Sequence, residues 1–215
     1  MKKGSFGEKF FEIVNDLIAS WPSNLVLGLG SGRTVDSFIE LLAESGYKSL
    51  SIVAASSRTV ETLQKFGFKN LVSLQDCKLL DLYVDSADRV GKDRILIKGG
   101  GAALTGEKIA ACMAKKFICL VHSSKRSDDL ISSFIPIEVI PMAVSHVRME
   151  VEKFGARFEL RQALRTDSGN LVFDLFELFI EAIDKGFEER LDLITGVVEN
   201  GIFARNRPDE VIWFD

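Results

Sequence analysis

The chain has 215 residues, 47% of them hydrophobic, and its 27 basic and 31 acidic side chains give a net charge of −4. This length suffices for one large domain, or for one domain with a smaller companion, built around an apolar core. The scattered basic residues argue against a nucleic-acid partner, and no apolar run approaches the roughly 20 residues of a membrane span.

The three cysteines, Cys77, Cys112 and Cys119, show no metal-ligand spacing. Their odd number is typical of buried thiols in a reducing cytosol rather than of a disulfide framework. The first residues carry acids among their apolar positions and lack a cleavage site, so no signal peptide is expected. We therefore expect a soluble, cytoplasmic protein.

The first half of the chain alternates helical patterns with short apolar runs. Residues 5–19 have helical spacing, residues 24–29 form a short strand ending in glycines, and a helix follows from Thr34. The same order recurs with a strand at 51–55 and a helix at 58–66. This alternation predicts βαβ units built on a parallel sheet, and so an α/β fold.

Three more strands and a helix are predicted before residue 123. The strands are residues 80–85, 94–97 and 116–122, and the helix begins near Thr105. This helix is expected to turn three side chains inward: Ile109, Cys112 and Met113. Each polar cluster in this half follows a strand, which is where ligands bind in open α/β sheets.

The pattern changes near residue 130, where a domain boundary is predicted. Prolines flank a short strand there, and a helix at 143–154 follows. Strands at 156–160 and 171–175 are joined by a turn at 166–170, a last helix covers 186–194, and a tail strand, 211–214, returns to the main sheet. We expect residues 1–129 and 200–215 to form an α/β catalytic domain and residues 130–199 an α+β lid.

The motif GLGSGRT, residues 28–34, follows a strand and opens a helix. Backbone N–H groups and the helix dipole favour a phosphate or carboxylate there, and Ser31, Arg33 and Thr34 add polar contacts. A dinucleotide site is not favoured, because Arg33 occupies the third glycine position of the G-x-G-x-x-G fingerprint. The alternative is an ordinary tight turn with a threonine cap.

Two carboxylates, Asp85 and Asp88, end the strand in the segment VDSAD. Paired carboxylates divide acid and base roles or hold sugar hydroxyls. A metal site is not favoured, because His122 and His146 stand apart from any acidic cluster. Stabilisation of the turn by aspartate side chains is the structural alternative.

A lysine and three glycines, Lys98 to Gly101, follow the next apolar run. The glycines permit unusual backbone conformations and let a ligand approach the main chain closely. Three consecutive glycines cost conformational entropy, so a ligand-binding loop is favoured over the alternative of a flexible surface loop.

Glu107 follows this loop at the start of the predicted helix. It stands where a P-loop would carry its phosphate-binding lysine, so the segment does not bind ATP. If Thr105 is the N-cap, a capping box places its acid at position 108, which is lysine, so that motif does not explain Glu107. An ionised carboxylate beside a glycine loop suits proton transfer, and a surface glutamate that complements the helix dipole is the alternative.

Eight segments in order along nearly the whole chain resemble the type A ribose-5-phosphate isomerase family: GLGSGRT, ASSRT, LYVDSADRV, IKGGGAALTGEKIA, KFICLVHSSK, PIEVIPMA, RTDSGN and GVVENGIF. The resemblance implies a doubly wound, mainly parallel, Rossmann-like α/β domain with a smaller α+β lid. It further implies a homodimer or homotetramer that interconverts ribose 5-phosphate and ribulose 5-phosphate in the pentose phosphate pathway, without metal or cofactor.

The same resemblance implies roles for individual residues. Glu107 matches the general base that moves a proton between C1 and C2 through a cis-enediolate, and Asp85, Asp88 and Lys98 match groups that open the ring and polarise the oxygens. The implied substrate-binding residues are Ser31, Gly32, Arg33, Thr34, Asp85, Ser86, Ala87, Asp88, Lys98, Gly99, Gly100, Gly101, Lys125 and Lys9.

Three positions depart from the family pattern. Arg33 replaces serine or threonine, Ser86 replaces glycine, and Arg89 replaces glutamate. We expect activity to survive and affinity to change, and Ser86 requires a turn that tolerates a side chain. Two other classes remain open: a sugar-phosphate sensor without turnover and a coenzyme-A transferase relative.

Overall fold

The computed structural model describes residues 6–22 and 24–215. Residue 5, the first of the predicted 5–19 helix, lies outside the described residues. The helices are α1 (Glu8–Ala19), α2 (Arg33–Glu44), α3 (Ser57–Lys65), α4 (Leu104–Met113), α5 (Val144–Glu152) and α6 (Lys185–Asp192).

The strands fall into three sheets and are numbered along the chain. They are β1 (Val26–Leu29), β2 (Ser51–Ala54), β3 (Leu71–Val72), β4 (Leu82–Asp85), β5 (Arg89–Val90), β6 (Leu96–Ile97), β7 (Phe117–His122), β8 (Ile135–Val139), β9 (Arg157–Arg165), β10 (Leu171–Phe176), β11 (Val197–Asn200), β12 (Ile202–Phe203) and β13 (Glu210–Phe214).

The chain divides into two compact units. The first, called here the parallel-sheet unit, contains the residues up to Ser86 with Ile109–Ser124 and Pro208–Asp215. The second, the antiparallel unit, contains Ala87–Lys108 and Lys125–Arg207. The predicted domain boundaries near residues 130 and 200 stay a prediction.

The parallel-sheet unit is built on one six-stranded sheet in the order β13-β7-β4-β1-β2-β3. All of its pairings are parallel, as the βαβ pattern predicted, and the tail strand β13 pairs with β7. Strands β2 and β3 lie on one side of β1, whereas β4, β7 and β13 lie on the other side. The strand order therefore reverses between β1 and β4. The carboxyl ends of these two strands therefore form the switch point at which such sheets bind ligands.

The helices of this unit bury the faces that their spacing predicts. In α1, Phe10, Val14 and Ile18 recur every four residues and are buried. In α2, the predicted apolar positions, including Phe38 and Leu42, lie in the same core. Repeated apolar spacing thus accounts for α1 and α2.

The antiparallel unit holds a four-stranded sheet, β11-β8-β10-β9, and a three-stranded sheet, β12-β6-β5. Its core includes apolar residues of α5, α6 and the central strand β8. The predicted turn at 166–170 joins β9 to β10, with Gly169 in the left-handed region at φ +81°. A glycine there avoids the strain that a side chain would meet.

Two local predictions were wrong. Of the predicted strand 94–97 only Leu96–Ile97 is a strand, because Asp93 and Arg94 have positive φ in a 3₁₀ turn. The inward face of α4 was also misjudged, since Ile109 and Cys112 are exposed. The helix buries Glu107 and Lys108 instead, because both side chains find charged partners.

Within the described residues no helix is both long and apolar enough to span a membrane.

Candidate active site

The predicted anion-binding loop joins β1 to α2. Gly32 precedes the helix at φ +102°, a conformation that favours glycine, and no side chain caps the helix there. The alternative of a threonine cap was therefore wrong, because Thr34 lies inside the first turn. Ser31 and Thr34 are half-buried, and Arg33 is exposed. The start of α2 thus retains the helix dipole that favours an anion.

Gly30 of this loop lies directly against Asp85. Its N–H donates to the Val84 carbonyl at 3.0 Å, and its carbonyl accepts from Thr59 Oγ1 at 2.7 Å. A Cβ built on Gly30 would overlap the Asp85 carboxyl group. The second glycine of the motif is therefore required by the protein's own packing at the switch point.

Replacing Gly30 with alanine is expected to destabilise the fold by about 1–3 kcal/mol, the usual cost of forcing an extra methyl group into a packed site. Chemical denaturation would measure this loss. Gly186→Ala is the matched control, because a Cβ there meets its nearest atom at an ordinary 3.4 Å. Equal stability of the two variants would contradict the packing role of Gly30.

Asp85 is fully buried at the end of β4. Its carboxylate accepts from the Tyr83 hydroxyl at 2.5 Å and from the Ser86 N–H at 2.7 Å. Ser86 has no positive φ, so its side chain fits the turn without backbone strain. Among the residues described, no three His, Cys, Asp or Glu side chains gather into a group that could hold a metal ion.

Asp88 holds the glycine loop within the antiparallel unit. Its Oδ2 accepts from the Gly100 N–H at 2.7 Å, and a Cβ on Gly100 would meet the same carboxylate. Gly99 has φ +101°, and Ala102 enters the left-handed region at φ 61°. The loop thus has a defined conformation, which favours the ligand-binding interpretation over a flexible surface loop.

Arg161, on β9, holds this loop from its carbonyl side. Its Nη1 donates to the carbonyls of Gly99 at 2.6 Å and Gly100 at 3.1 Å. Its Nε and Nη2 donate to the Asp174 carboxylate. Arg161 was not predicted, because it lies just past the predicted strand at 156–160 and the sequence does not reveal a partner 62 residues away.

Glu107 and Lys98 form a buried ion pair at the start of α4. Each residue is 3% exposed, and Lys98 Nζ lies 3.2 Å from Glu107 Oε2. The Lys98 ammonium also faces the ring of Phe203 at 5.7 Å from its centroid. The alternative of a surface glutamate was therefore wrong, and the pair sits where water has little access.

Thr105 is not the N-cap of α4, because the helix already begins at Leu104. The Glu107 N–H donates to the Ala103 carbonyl at 3.0 Å, which places Glu107 at the end of the first turn. The Thr105 hydroxyl instead donates to Glu138 Oε2 at 2.5 Å. A capping argument therefore does not account for Thr105.

Lys108 is buried next to Glu107 and is fully hydrogen-bonded. Its Nζ donates to Glu188 Oε1 at 2.9 Å, to Glu199 Oε1 at 2.9 Å and to the Ile202 carbonyl at 2.7 Å. An ammonium group has three donors, and these acceptors use all of them. Lys108 therefore ties the first turn of α4 to α6, β11 and β12.

Burial raises the pKa of the Glu199 carboxyl above its ordinary 4.5, although Lys108 lowers it. The pKa of Glu199 is higher in the folded protein than in the unfolded protein. The contribution of this side chain to the free energy of unfolding is therefore complete below pH 4.5 and is lost as the pH rises through the folded-state pKa. Glu199→Gln lacks this loss. We expect the Tm of the wild type to fall more than that of the variant as the pH rises above 4.5. Parallel Tm profiles would contradict this.

The predicted site residues fall into two sets. The antiparallel unit brings Lys98, Glu107, Asp88 and the glycine loop together, whereas Asp85, Ser86 and the anion loop belong to the parallel-sheet unit. Lys125 ends a 3₁₀ turn and is half-buried. Lys9 is exposed and lies 3.4 Å from Asp215.

Comparison with known proteins places these residues in a family. The sequence profile of ribose 5-phosphate isomerase A, or phosphoriboisomerase A, matches residues 51–214. The chain belongs to the ribose 5-phosphate isomerase A family. It is 45% identical over 191 residues to the ribose-5-phosphate isomerase A of Dichelobacter nodosus, which covers 89% of this chain and 87% of that protein.

Solved structures of the family have the same fold. The crystal structure of the family member from Neisseria gonorrhoeae matches with a TM-score of 0.88 at 35% identity, over 96% of this chain and 92% of that one. A D-ribose-5-phosphate isomerase in complex with phospho-erythronic acid matches with a TM-score of 0.87 at 35% identity, over 96% and 93% of the two chains. The predicted family and the Rossmann-like fold class are both confirmed.

Proposed function

We propose that this chain interconverts ribose 5-phosphate and ribulose 5-phosphate, with Glu107 as the base that moves the proton. The observation that carries the proposal is the buried Glu107 carboxylate, 3.2 Å from the Lys98 ammonium at a loop of three glycines. Membership of the ribose 5-phosphate isomerase A family supports the substrate.

The proposed reaction is balanced by proton transfers alone. Glu107 removes the hydrogen on C2 of the open-chain aldose as a proton, and the electron pair moves onto the C1 oxygen to form a cis-enediolate. The proton then returns to C1, and the C2 hydroxyl becomes the ketone by loss of its own proton to the C1 oxygen. No oxidant, metal or cofactor is required.

Lys98 is proposed to stabilise the charge that develops on the sugar oxygens. A cation in a water-poor site interacts with such charge more strongly than it would in solvent. The same ammonium lies 3.2 Å from the Glu107 carboxylate, so the base and the cation are held side by side. One lysine would thus serve both the base and the intermediate.

Further substrate contacts are proposed from family membership. In the parallel-sheet unit, the loop Ser31 to Thr34 would bind the phosphate at the start of α2, and Asp85, Ser86 and Lys9 would also contact the sugar phosphate. In the antiparallel unit the proposed contacts are Ala87, Asp88, Lys98, Gly99, Gly100, Gly101 and Lys125.

Location and assembly are also proposals. We propose a cytoplasmic homodimer or homotetramer whose partner is the small sugar phosphate, with no role for nucleic acid or membrane. The proposal is supported by the family, by the acidic net charge of −4 and by the odd number of cysteines. Light scattering on the purified protein would measure the assembly.

The proposed function is tested by incubating the purified protein with ribose 5-phosphate and measuring ribulose 5-phosphate, with and without EDTA. We expect turnover that the chelator does not change. Calorimetric binding of ribose 5-phosphate without turnover would instead favour a sensor. Exchange of acyl groups between thioesters would favour a coenzyme-A transferase relative.

A further inference from the structure

Glu138 is a buried carboxylate of the antiparallel unit that has no part in the proposed reaction. Glu138 is 1% exposed in β8, and the other four residues of that strand, Ile-Pro-Ile before it and Val after it, are apolar and buried. An apolar residue at this position would add to the core, whereas a buried carboxylate is costly unless its oxygens are hydrogen-bonded. Packing alone therefore does not explain a carboxylate at position 138.

Three neutral groups donate to Glu138. Its Oε1 accepts from Thr166 Oγ1 at 2.8 Å and from Asn170 Nδ2 at 2.7 Å, so it is anchored to the turn that joins β9 to β10. The other oxygen, Oε2, accepts from Thr105 Oγ1 at 2.5 Å. Glu138 therefore links a rigid turn of the sheet to the first turn of α4.

Side-chain contacts around the start of α4 point in different directions. Residues two apart on a helix point about 200° away from each other, so Thr105 and Glu107 lie on nearly opposite sides of the turn. Lys108 projects about 100° from Glu107 towards Glu188 and Glu199. Contacts in three directions therefore hold the turn.

We propose that Thr105 and Glu138 are positioning residues that hold the first turn of α4 so that Glu107 stays beside Lys98. The inference rests on the proposed function of Glu107. Of the three contacts, the one through Lys108 joins full charges, whereas the Thr105 bond joins a neutral hydroxyl to Oε2 of the Glu138 carboxylate. Glu138 would still accept from Thr166 and Asn170.

The test compares Thr105→Val with Thr105→Ser. Valine keeps the shape and removes the hydroxyl, and serine restores the hydroxyl. We expect Thr105→Val to lower kcat about tenfold with KM within about twofold, because small displacements of a catalytic group are expensive, and we expect Thr105→Ser to regain most of that loss. Thr62→Val is the matched control, since that hydroxyl donates to the Arg58 carbonyl within α3.

A second readout does not depend on turnover. Amide hydrogen exchange at Glu107 should become faster in Thr105→Val, while exchange at Cys112 in the last turn of α4 should stay unchanged. This measurement decides the inference even if the wild type fails to isomerise ribose 5-phosphate, an outcome that would remove the proposed function instead. If Thr105→Val does not fold, Glu138→Gln, which keeps the volume and removes the charge, should show the same two changes.

Three results would overturn the inference. One is wild-type kcat and unchanged exchange at Glu107 in a folded Thr105→Val protein. Another is equal impairment of the valine and serine variants, which would assign the effect to packing. The last is uniform acceleration of exchange along α4, because a purely structural role would loosen the whole helix.

Discussion

Glu107→Gln is expected to lower kcat for ribose 5-phosphate by at least ~10²-fold, a typical minimum for the loss of general-base catalysis. Glutamine keeps the shape of the side chain and one acceptor oxygen but cannot accept the C2 proton at neutral pH. The anion loop at α2 is untouched, so binding of ribose 5-phosphate should persist. Steady-state kinetics measure the first effect, and calorimetry the second.

The control for this variant is Glu61→Gln, because Glu61 is an exposed glutamate on α3. It should leave kcat and affinity unchanged. Near-native turnover in Glu107→Gln would remove Glu107 from the mechanism. Loss of both turnover and binding would show that the carboxylate shapes the pocket rather than transfers the proton.

Lys108→Met is expected to lower the free energy of unfolding by about 3–5 kcal/mol, the usual cost of removing one partner of a buried ion pair. Methionine has a similar length, so the main loss is the charge. The buried Glu188 and the partly buried Glu199 would lose their shared cation, and a backbone carbonyl would lose its donor. Urea denaturation monitored by circular dichroism measures the effect.

Lys116→Met provides a control at the same distance and different burial. Lys116 Nζ lies 2.9 Å from Glu210, as Lys108 Nζ does from Glu188, but the two side chains are 51% and 48% exposed against 3% and 0%. An exposed pair contributes about 0–1 kcal/mol, so this variant should remain close to wild type. Equal losses in the two variants would contradict the importance of the buried network.

The sequence predicts the parallel sheet well because its signals are local. Apolar runs of four to six residues, each followed by a helix with apolar spacing, determine the order of strands and helices from β1 to α3. The turn between β9 and β10 and the tail strand β13 follow from equally short patterns. No long-range information was needed for these elements.

The side-chain pairings of the site were less predictable. Glu107 was identified as a candidate base from its place after the glycines, but its burial was not predicted. The predicted inward face of α4 was also wrong. Periodicity assumes that apolar residues face inward, whereas Lys108 is buried by a partner 80 residues away, Glu188. Glu138 and Thr105, 33 residues apart, show the same limit. A single sequence contains these residues but not their pairing.

The glycine motif at β1 shows how one pattern serves two purposes. The motif GLGSGRT was predicted to bind an anion through backbone N–H groups and the helix dipole. Gly32 fits that explanation through its positive φ at the helix start. Gly30 is instead explained by the buried Asp85 carboxylate that would collide with a side chain. Spacing alone does not separate a glycine that admits a ligand from one that admits a neighbouring residue.

The central claim is that Glu107 carries a proton between C2 and C1, and isomerisation in D₂O tests it most directly. The product would be followed by NMR for the wild type and for Glu107→Gln. We expect product to form at least ~10²-fold more slowly in the variant, and any deuterium found in the wild-type product to lie at C1 of ribulose 5-phosphate. Product that forms equally fast with glutamine at position 107 would contradict the claim.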